Sequence, residues 1–279
     1  MPDIAFVNGC FMPLGEAKVS IEDRGFQFGD GVYEVVRTYR GIPFQLSAHL
    51  ERLERSANAI HLDVSVHSQG WEQWVLEGMK RAGYAECKIY LQVTRGQSPR
   101  DHVFPHGAAP TIVISVREMR SLDPVLPRLG VTVITMDDLR WGRCDIKSIN
   151  LLPNVLARQR ALEAGAFEAI LVRQGFVTEG AVSNVMIVRA GRVITPPEGE
   201  HILSGVTRRL VLNEARKENI VVEERTIHLD EFRRAEEVFL TGTTVEVLPV
   251  VRIDDTAVDQ GRPGLLTERL GALFRKVIA

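Results

Sequence analysis

Four short stretches of the chain carry residues whose chemistry could be combined. "RCDIKSIN" (143–150) holds a lone lysine, Lys147, between a strand and a helix start. An unprotonated lysine amine attacks carbonyl carbon to form an imine. "SGVTRR" (204–209) places Gly205 ahead of Val206 and Thr207, whose amides would open a helix. Free N–H groups at a helix N-terminus bind phosphate. "LTGTTVE" (240–246) gathers Thr241, Thr243 and Thr244 around Gly242, hydroxyls and backbone that can cup an anion. "VTEGAVSN" (177–184) ends an apolar strand on Glu179, a carboxylate able to hold a heteroaromatic nitrogen protonated. Singly these read as a solvated turn lysine, an ordinary helix start, a threonine turn and a strand-end acid.

Taken together, a lysine, a phosphate cradle and a fixed carboxylate are what a protein must offer pyridoxal 5'-phosphate, which brings the carbanion chemistry itself. The elements that must position them are legible. "IAFVNGCFMP" predicts a hairpin turning at Asn8-Gly9, and "VYEVVRTYRGIPFQL" a second one turning near Gly41. Ser47 is a candidate N-cap for a helix whose apolar face is Leu50, Leu53, Ala57 and Ile60. Arg52 lies off that face, so periodicity alone makes it exposed. "GWEQWVLEGMKRAG" reads as a helix stopping at Gly83, followed by β-rich "CKIYLQVTRG" and "TIVISV".

The proline-broken stretch "REMRSLDPVLPRLG" is the linker candidate, which divides the chain into an α+β domain over 1–120 and a cofactor-binding domain over 121–279. In the second part, strand "VTVITM" leads through the Lys147 loop to a helix over roughly 153–164, with Pro153 in its first turn and Gly165 at its end. Strands "EAILV", "GFVTEG" and "SNVMIV", a helix "GVTRRLVLNEARKEN" and a strand-turn-strand "EEVFLTGTTVEVLPV" follow. The fold class is α/β (α+β).

The formal net charge of −2 gives no reason to expect a nucleic-acid or anionic-membrane partner. No apolar run reaches membrane-span length, and "MPDIAFVNG" is not a signal peptide. Three widely spaced cysteines, Cys10, Cys87 and Cys144, suit a reducing cytoplasm and neither a disulfide framework nor a metal site.

"EDRGFQFGDGVYEVV" (22–36), "YLQVTRGQSPRDHVFP" (90–105), "RWGRCDIKSINLLPNVLA" (140–157) and "EAILVRQGFVTEGAVSNV" (168–185) resemble, in order and over nearly the whole chain, the D-amino-acid aminotransferases. These belong to the fold-type IV pyridoxal-phosphate enzymes. The resemblance implies a small N-terminal α/β domain, a larger C-terminal pseudo-barrel domain and a homodimer. Lys147 matches the lysine that forms the Schiff base and shuttles the proton, and Glu179 the acid at the pyridine nitrogen. Arg52, Val206, Thr207 and Thr243 match phosphate contacts, and Leu203 an apolar residue on the cofactor ring. Tyr33, Arg100 and His102 match the trap for the substrate α-carboxylate, with Arg100 and His102 coming from the partner subunit. Val35 matches a residue lining the side-chain pocket. Arginine suits bidentate carboxylate recognition, and in an extended "SPRDH" Arg100 and His102 fall on one side.

There are departures from the family pattern. Gly242 stands in place of a serine, Ser204 in place of a lysine, and Ala181-Val182 make "EGAVSN" more apolar, leaving Ser183 and Asn184 as its polar remnant. The implied activity is ping-pong transamination between a D-amino acid such as D-alanine and a 2-oxo acid such as 2-oxoglutarate or pyruvate. A branched-chain or (R)-amine transaminase would share the cofactor site, but the intact Arg100-Asp101-His102 segment argues against both. An aminodeoxychorismate-type lyase and a non-catalytic cofactor carrier are the remaining alternatives.

Overall fold

The computed structural model describes residues 2–64 and 70–279. The chain divides into two compact units. One runs to Arg120 and takes in Ile146–Asn150; the other comprises Ser121–Asp145 and Leu151–Ala279. The short Lys147 segment thus belongs with the first unit.

In the first unit, β1 (Ile4–Val7) and β2 (Cys10–Pro13) pair through Asn8 and Gly9, both at positive φ as a two-residue hairpin turn requires. Helix α1 (Arg24–Phe28) is capped by Asp23, whose carboxylate accepts from the Gly25 amide, and ends on left-handed Gly29. Strand β3 (Gly31–Tyr39) turns back at Arg40-Gly41 into β4 (Ile42–Pro43). Helices α2 (Leu46–Ala59) and α3 (Trp71–Ala82) precede β5 (Cys87–Thr94) and β6 (Thr111–Glu118). Ser47 does not cap α2: the helix already begins at Leu46, entered through left-handed Gln45. The antiparallel sheet has the order β2-β1-β6-β5-β3-β4. Val32, Val36, Ile89, Leu91, Ile114 and Val116 bury one face of it against Leu53, Ala57, Trp71 and Val75 of the two helices.

β5 occupies one edge of β3 from Gly31 to Arg37, while β4 reaches only Thr38 and Tyr39 on the other. The remaining edge takes the returning segment: Val32 bridges Ser148, the Tyr33 amide donates to Lys147 O at 3.0 Å, and the Ile149 amide donates to Gly31 O at 3.1 Å. Asn150 fastens the far end, its side-chain amide donating to Gly29 O at 2.9 Å.

The second unit begins with α4 (Leu126–Leu129), β7 (Val131–Asp137) and α5 (Leu152–Glu163), which has a proline in its first turn and Gly165 at φ 68° just past its end. There follow β8 (Glu168–Arg173), β9 (Phe176–Gly180), β10 (Asn184–Arg189), β11 (Arg192–Thr195) and α6 (Val206–Lys217). The remainder is β12 (Val222–Glu224), β13 (Ile227–His228), α7 (Leu229–Arg233), β14 (Glu237–Gly242), β15 (Glu246–Ile253), β16 (Thr256–Ala257) and α8 (Leu265–Ile278). One long mixed sheet runs β12-β11-β10-β14-β15-β7-β8-β9-β13. Although β10 and β9 are five places apart in that order, they touch, and the Gly180 amide donates to Ser183 O. The intervening strands therefore curl into a barrel-like cup filled by Val133, Ile170, Val185, Ile187, Leu240 and Leu248.

Gly31 is where the seating of Lys147 is most exposed to test. A Cβ there would come within 2.5 Å of Val93 O and 3.1 Å of Ile149 Cδ1. Gly31→Ala is expected to lower unfolding free energy by about 1–3 kcal/mol, the usual cost of overpacking, and to lower turnover with it. Urea denaturation and a rate assay on the same preparation check this.

Candidate active site

The first unit presents Lys147 half-buried, with its amide donating to Ser56 Oγ at 3.1 Å and its carbonyl held by β3. Its Nζ lies 4.2 Å from the centre of the Tyr33 ring, within cation–π range. Tyr33 stacks in turn on Tyr90 at 5.6 Å. Strand alternation puts Tyr33 and Val35 on one face of β3 and Glu34 on the other.

Glu34 is fully buried and is the hub of a charged cluster. Its carboxylate accepts Arg52 Nε at 2.7 Å and Nη2 at 2.9 Å, and His49 Nδ1–H at 2.7 Å. Burial alone would raise its pKa, but the Arg52 charge, the Arg52 bonds and the His49 bond outweigh it and hold Glu34 at about 2. Burial pushes His49 down against the pull of Glu34. Arg52 is thus not the exposed residue that helical periodicity predicts; it is 5% exposed. Helix α2 buries a polar stripe, His49, Arg52 and Ser56, beside its apolar one, because Glu34 supplies the counter-charge that a buried guanidinium needs.

Arg100 and His102 stand on the exposed loop after β5. They meet at Phe28, with the Arg100 guanidinium 4.6 Å from that ring's centre and the His102 ring 5.2 Å from it. Arg100 also donates to Gln27 O at 3.3 Å.

In the second unit, Glu179 is buried at the end of β9. One oxygen accepts Arg140 Nη1; the other accepts Asn184 Nδ2 at 2.9 Å and the Leu203 amide at 3.1 Å. Arg140 is itself gripped bidentately by Asp138, 2.9 Å at each oxygen. Burial would raise Asp138, but its bonds to Arg140, with the Arg140 charge and Arg173, bring it to about 2. Asn184 donates a second bond to Leu203 O at 2.9 Å, tying the Glu179 carboxylate to the segment entering α6.

That segment ends in Gly205, which offers α6 no side-chain cap, and a Cβ at Gly205 would run into Asn184 Oδ1. The first amides of α6, those of Val206 and Thr207, therefore open onto a site where only a glycine can stand. Near the end of β14, among the described residues, the buried Thr241 hydroxyl has no hydrogen-bond partner, the kind of vacancy that a ligand oxygen or a water fills. Thr243 lies half-buried in the turn after it. The Ser183 hydroxyl donates to Glu168, whose carboxyl burial pushes up.

Sequence reasoning missed Glu34, His49, Asp138 and Arg140. An acid on the core face of β3, between Val32 and Val36, was the visible signal for the first. Nothing in "DDLRWGR" distinguishes Asp138 and Arg140 from solvated charges, since their partner lies some forty residues on.

The amino-transferase class IV family model matches residues 31–253. D-alanine aminotransferase of Bacillus licheniformis is 44% identical over 97% of this chain and 95% of its own, and that of Staphylococcus haemolyticus 41% over 98% and 97%. The chain belongs to the class IV aminotransferases. Among solved structures, a branched-chain amino acid aminotransferase with pyridoxamine 5'-phosphate superposes with a TM-score of 0.91 at 28% identity, covering 100% of this chain and 94% of that one. A fold IV transaminase from Curtobacterium pusillum gives 0.82 at 28% identity, over 98% and 99%. The expected fold-type IV architecture is therefore that of this family member.

The Glu34 cluster sets a pH dependence. Its carboxyl is lowered on folding from 4.5 to about 2, so the stability it contributes is complete above about pH 4.5 and is lost as pH falls through 2. Glu34→Gln is expected to be less stable than the parent by about 3 kcal/mol at pH 7. The gap should close between pH 4.5 and 2 in urea titrations. A gap independent of pH would remove Glu34 as the titrating group.

Proposed function

We infer that the protein is a pyridoxal 5'-phosphate-dependent transaminase moving an amino group between a D-amino acid, such as D-alanine, and a 2-oxo acid. Full-length similarity to D-alanine aminotransferases supports the substrate class. The observation that carries the chemistry is the lysine amine set against Tyr33 on a backbone pinned at both ends. The residues present fit the cofactor: uncapped amides behind a glycine that admits no Cβ, an orphaned buried hydroxyl, and a carboxylate oriented by three donors.

When bound, pyridoxal phosphate supplies an electron sink for the bond broken at the substrate α-carbon. In this reading Lys147 Nζ would hold the cofactor's carbonyl carbon, and the same amine, when free, would take the substrate α-proton as a base. Arg52, Val206, Thr207 and Thr243 hold the phosphate, and Leu203 packs on the ring. Glu179 keeps the pyridine nitrogen protonated, and Arg140 and Asn184 fix Glu179 for that task. Tyr33, Arg100 and His102 take the α-carboxylate, and Val35 faces the substrate side chain. The reading includes a homodimer in which Arg100 and His102 serve the partner's site. Both stand exposed on the single chain, as do Leu152, Val155 and Leu156 of α5. It also places the enzyme in the cytoplasm, in keeping with three unpaired cysteines. No helix among the described residues is long and apolar enough to cross a membrane.

Lys147→Ala is expected to keep its fold and lose roughly 10²–10⁴-fold or more in turnover. In the parent protein, D-alanine but not L-alanine should discharge the cofactor's absorbance band. Near-normal turnover in the variant, or equal response to both enantiomers, would sink the reading. Arg100→Leu should lower kcat/KM for D-alanine by about 2–5 kcal/mol, tens- to thousands-fold. An amine without a carboxylate should lose little. Equal losses for both substrates would make Arg100 a support for the loop only.

A further inference from the structure

The first unit holds a second buried charge cluster, which the chemistry above does not use. Asp30 lies between two arginines. Arg24, 3% exposed, donates Nε to Asp30 Oδ2 at 2.8 Å. Arg95 closes the other side, with Nε to the same oxygen at 2.9 Å and Nη2 to Oδ1 at 3.0 Å. One carboxylate facing two guanidiniums leaves donors to be satisfied elsewhere, and both arginines spend them on backbone carbonyls. Arg95 takes Ile60 O at 2.7 Å and His61 O at 2.9 Å. Arg24 takes Asp101 O at 2.6 Å and Val103 O at 3.3 Å through Nη1, and His102 O at 3.4 Å through Nη2.

A single guanidinium thus collects three consecutive carbonyls of the loop that bears Arg100 and His102. The side chains of 100–104 are exposed, so burial does not fix this loop's course. It is held by its backbone, with further ties that include the Arg24 amide to Gly96 O at 2.8 Å, the Ser98 amide to Glu22 O at 3.1 Å, Arg100 to Gln27 O at 3.3 Å and the Arg95 guanidinium over the Phe104 ring at 3.7 Å. Phe28, at the end of the same short helix as Arg24, is shared by the Arg24, Arg100 and His102 side chains. Charge-assisted bonds from a rigid planar fork fix direction as well as distance, which a lysine's point charge does not.

We propose that Arg24, held by Asp30 and Arg95, is the positioning residue of the carboxylate trap: it sets the course of residues 101–103 and so the direction from which Arg100 and His102 meet the substrate. The proposal rests on the reading of Arg100 as a carboxylate ligand. The experiment uses the holoenzyme and the D-alanine half-reaction followed by stopped flow, which separates apparent Kd from limiting rate. Arg24→Gln is expected to raise the apparent Kd for D-alanine by about 10- to 100-fold, the scale of a small misplacement of a binding group, with little change in limiting rate. In an Arg100→Leu background the same substitution should add clearly less than it does alone, because the part that acts through Arg100 is already lost and only the His102 part remains. Amide hydrogen exchange at 100–104 should accelerate while β5 stays protected.

Unchanged exchange in that loop, full additivity of the two substitutions, or a fall in limiting rate at constant Kd would each overturn the proposal. If Arg100→Leu leaves D-alanine affinity intact, the trap reading fails, and Arg24's role fails with it. If Arg100→Leu weakens binding and Arg24→Gln does not, the trap stands and only the positioning role falls. Should Arg24→Gln not fold, Arg24→Lys keeps the charge beside Asp30 and loses the fork. It is then expected to give the same signs with smaller size, and an unchanged Kd in Arg24→Lys would overturn the proposal equally.

Discussion

An unfilled edge on β3 is the constraint from which the site's arrangement follows. A sheet edge is a row of donors and acceptors that must be satisfied. Here β4 is too short to cover it, and residues 146–150 complete the edge instead. That pairing brings Lys147, from a distant part of the chain, to Tyr33 and Ser56, and it ties the lysine's backbone to a strand edge. The backbone of Lys147 is as constrained as a strand's, while the four-carbon stem keeps its own rotamer freedom.

Buried charge near the candidate site is handled repeatedly in one way: a carboxylate is matched by a guanidinium. Glu34 has Arg52, Asp30 has Arg24 and Arg95, and Asp138 and Glu179 share Arg140. Removing one member of such a pair leaves an unpaired charge in a poorly solvated place, which costs more than the pair itself contributes. These networks consequently act as jigs, and their value lies in orientation more than in net stability.

The local turns and helix ends were legible in the sequence because their causes are local. Asn8-Gly9, Arg40-Gly41, Gly83 and Gly165 each sit where a positive φ is required. The four stretches singled out for their chemistry stood out because polar and ionisable residue types stand against an apolar background. Long-range pairing was not. Arg52 looks solvent-facing until Glu34, eighteen residues earlier, is placed beneath it, and Arg24 looks like a surface charge until the carbonyls near residue 102 arrive beside it. The Ser47 cap failed for a smaller reason: left-handed Gln45 lets α2 begin one residue before the serine. Lys147's return to the first unit is equally invisible to local patterning, since an open sheet edge is a property of the assembled fold.

Asn184 has both side-chain hydrogens committed, one to Glu179 and one to Leu203 O, while its oxygen stands where a Gly205 side chain would have to go. The amide therefore works as a gauge block between Glu179 and the segment that opens α6. Chain length between 203 and 205 is set by its span, so natural drift or laboratory selection has little room there for inserted or deleted residues. Val182, two positions earlier and facing outward, is under no such dimension. Substitutions are consequently easier to accommodate at the exposed Val182 than in the segment that opens α6.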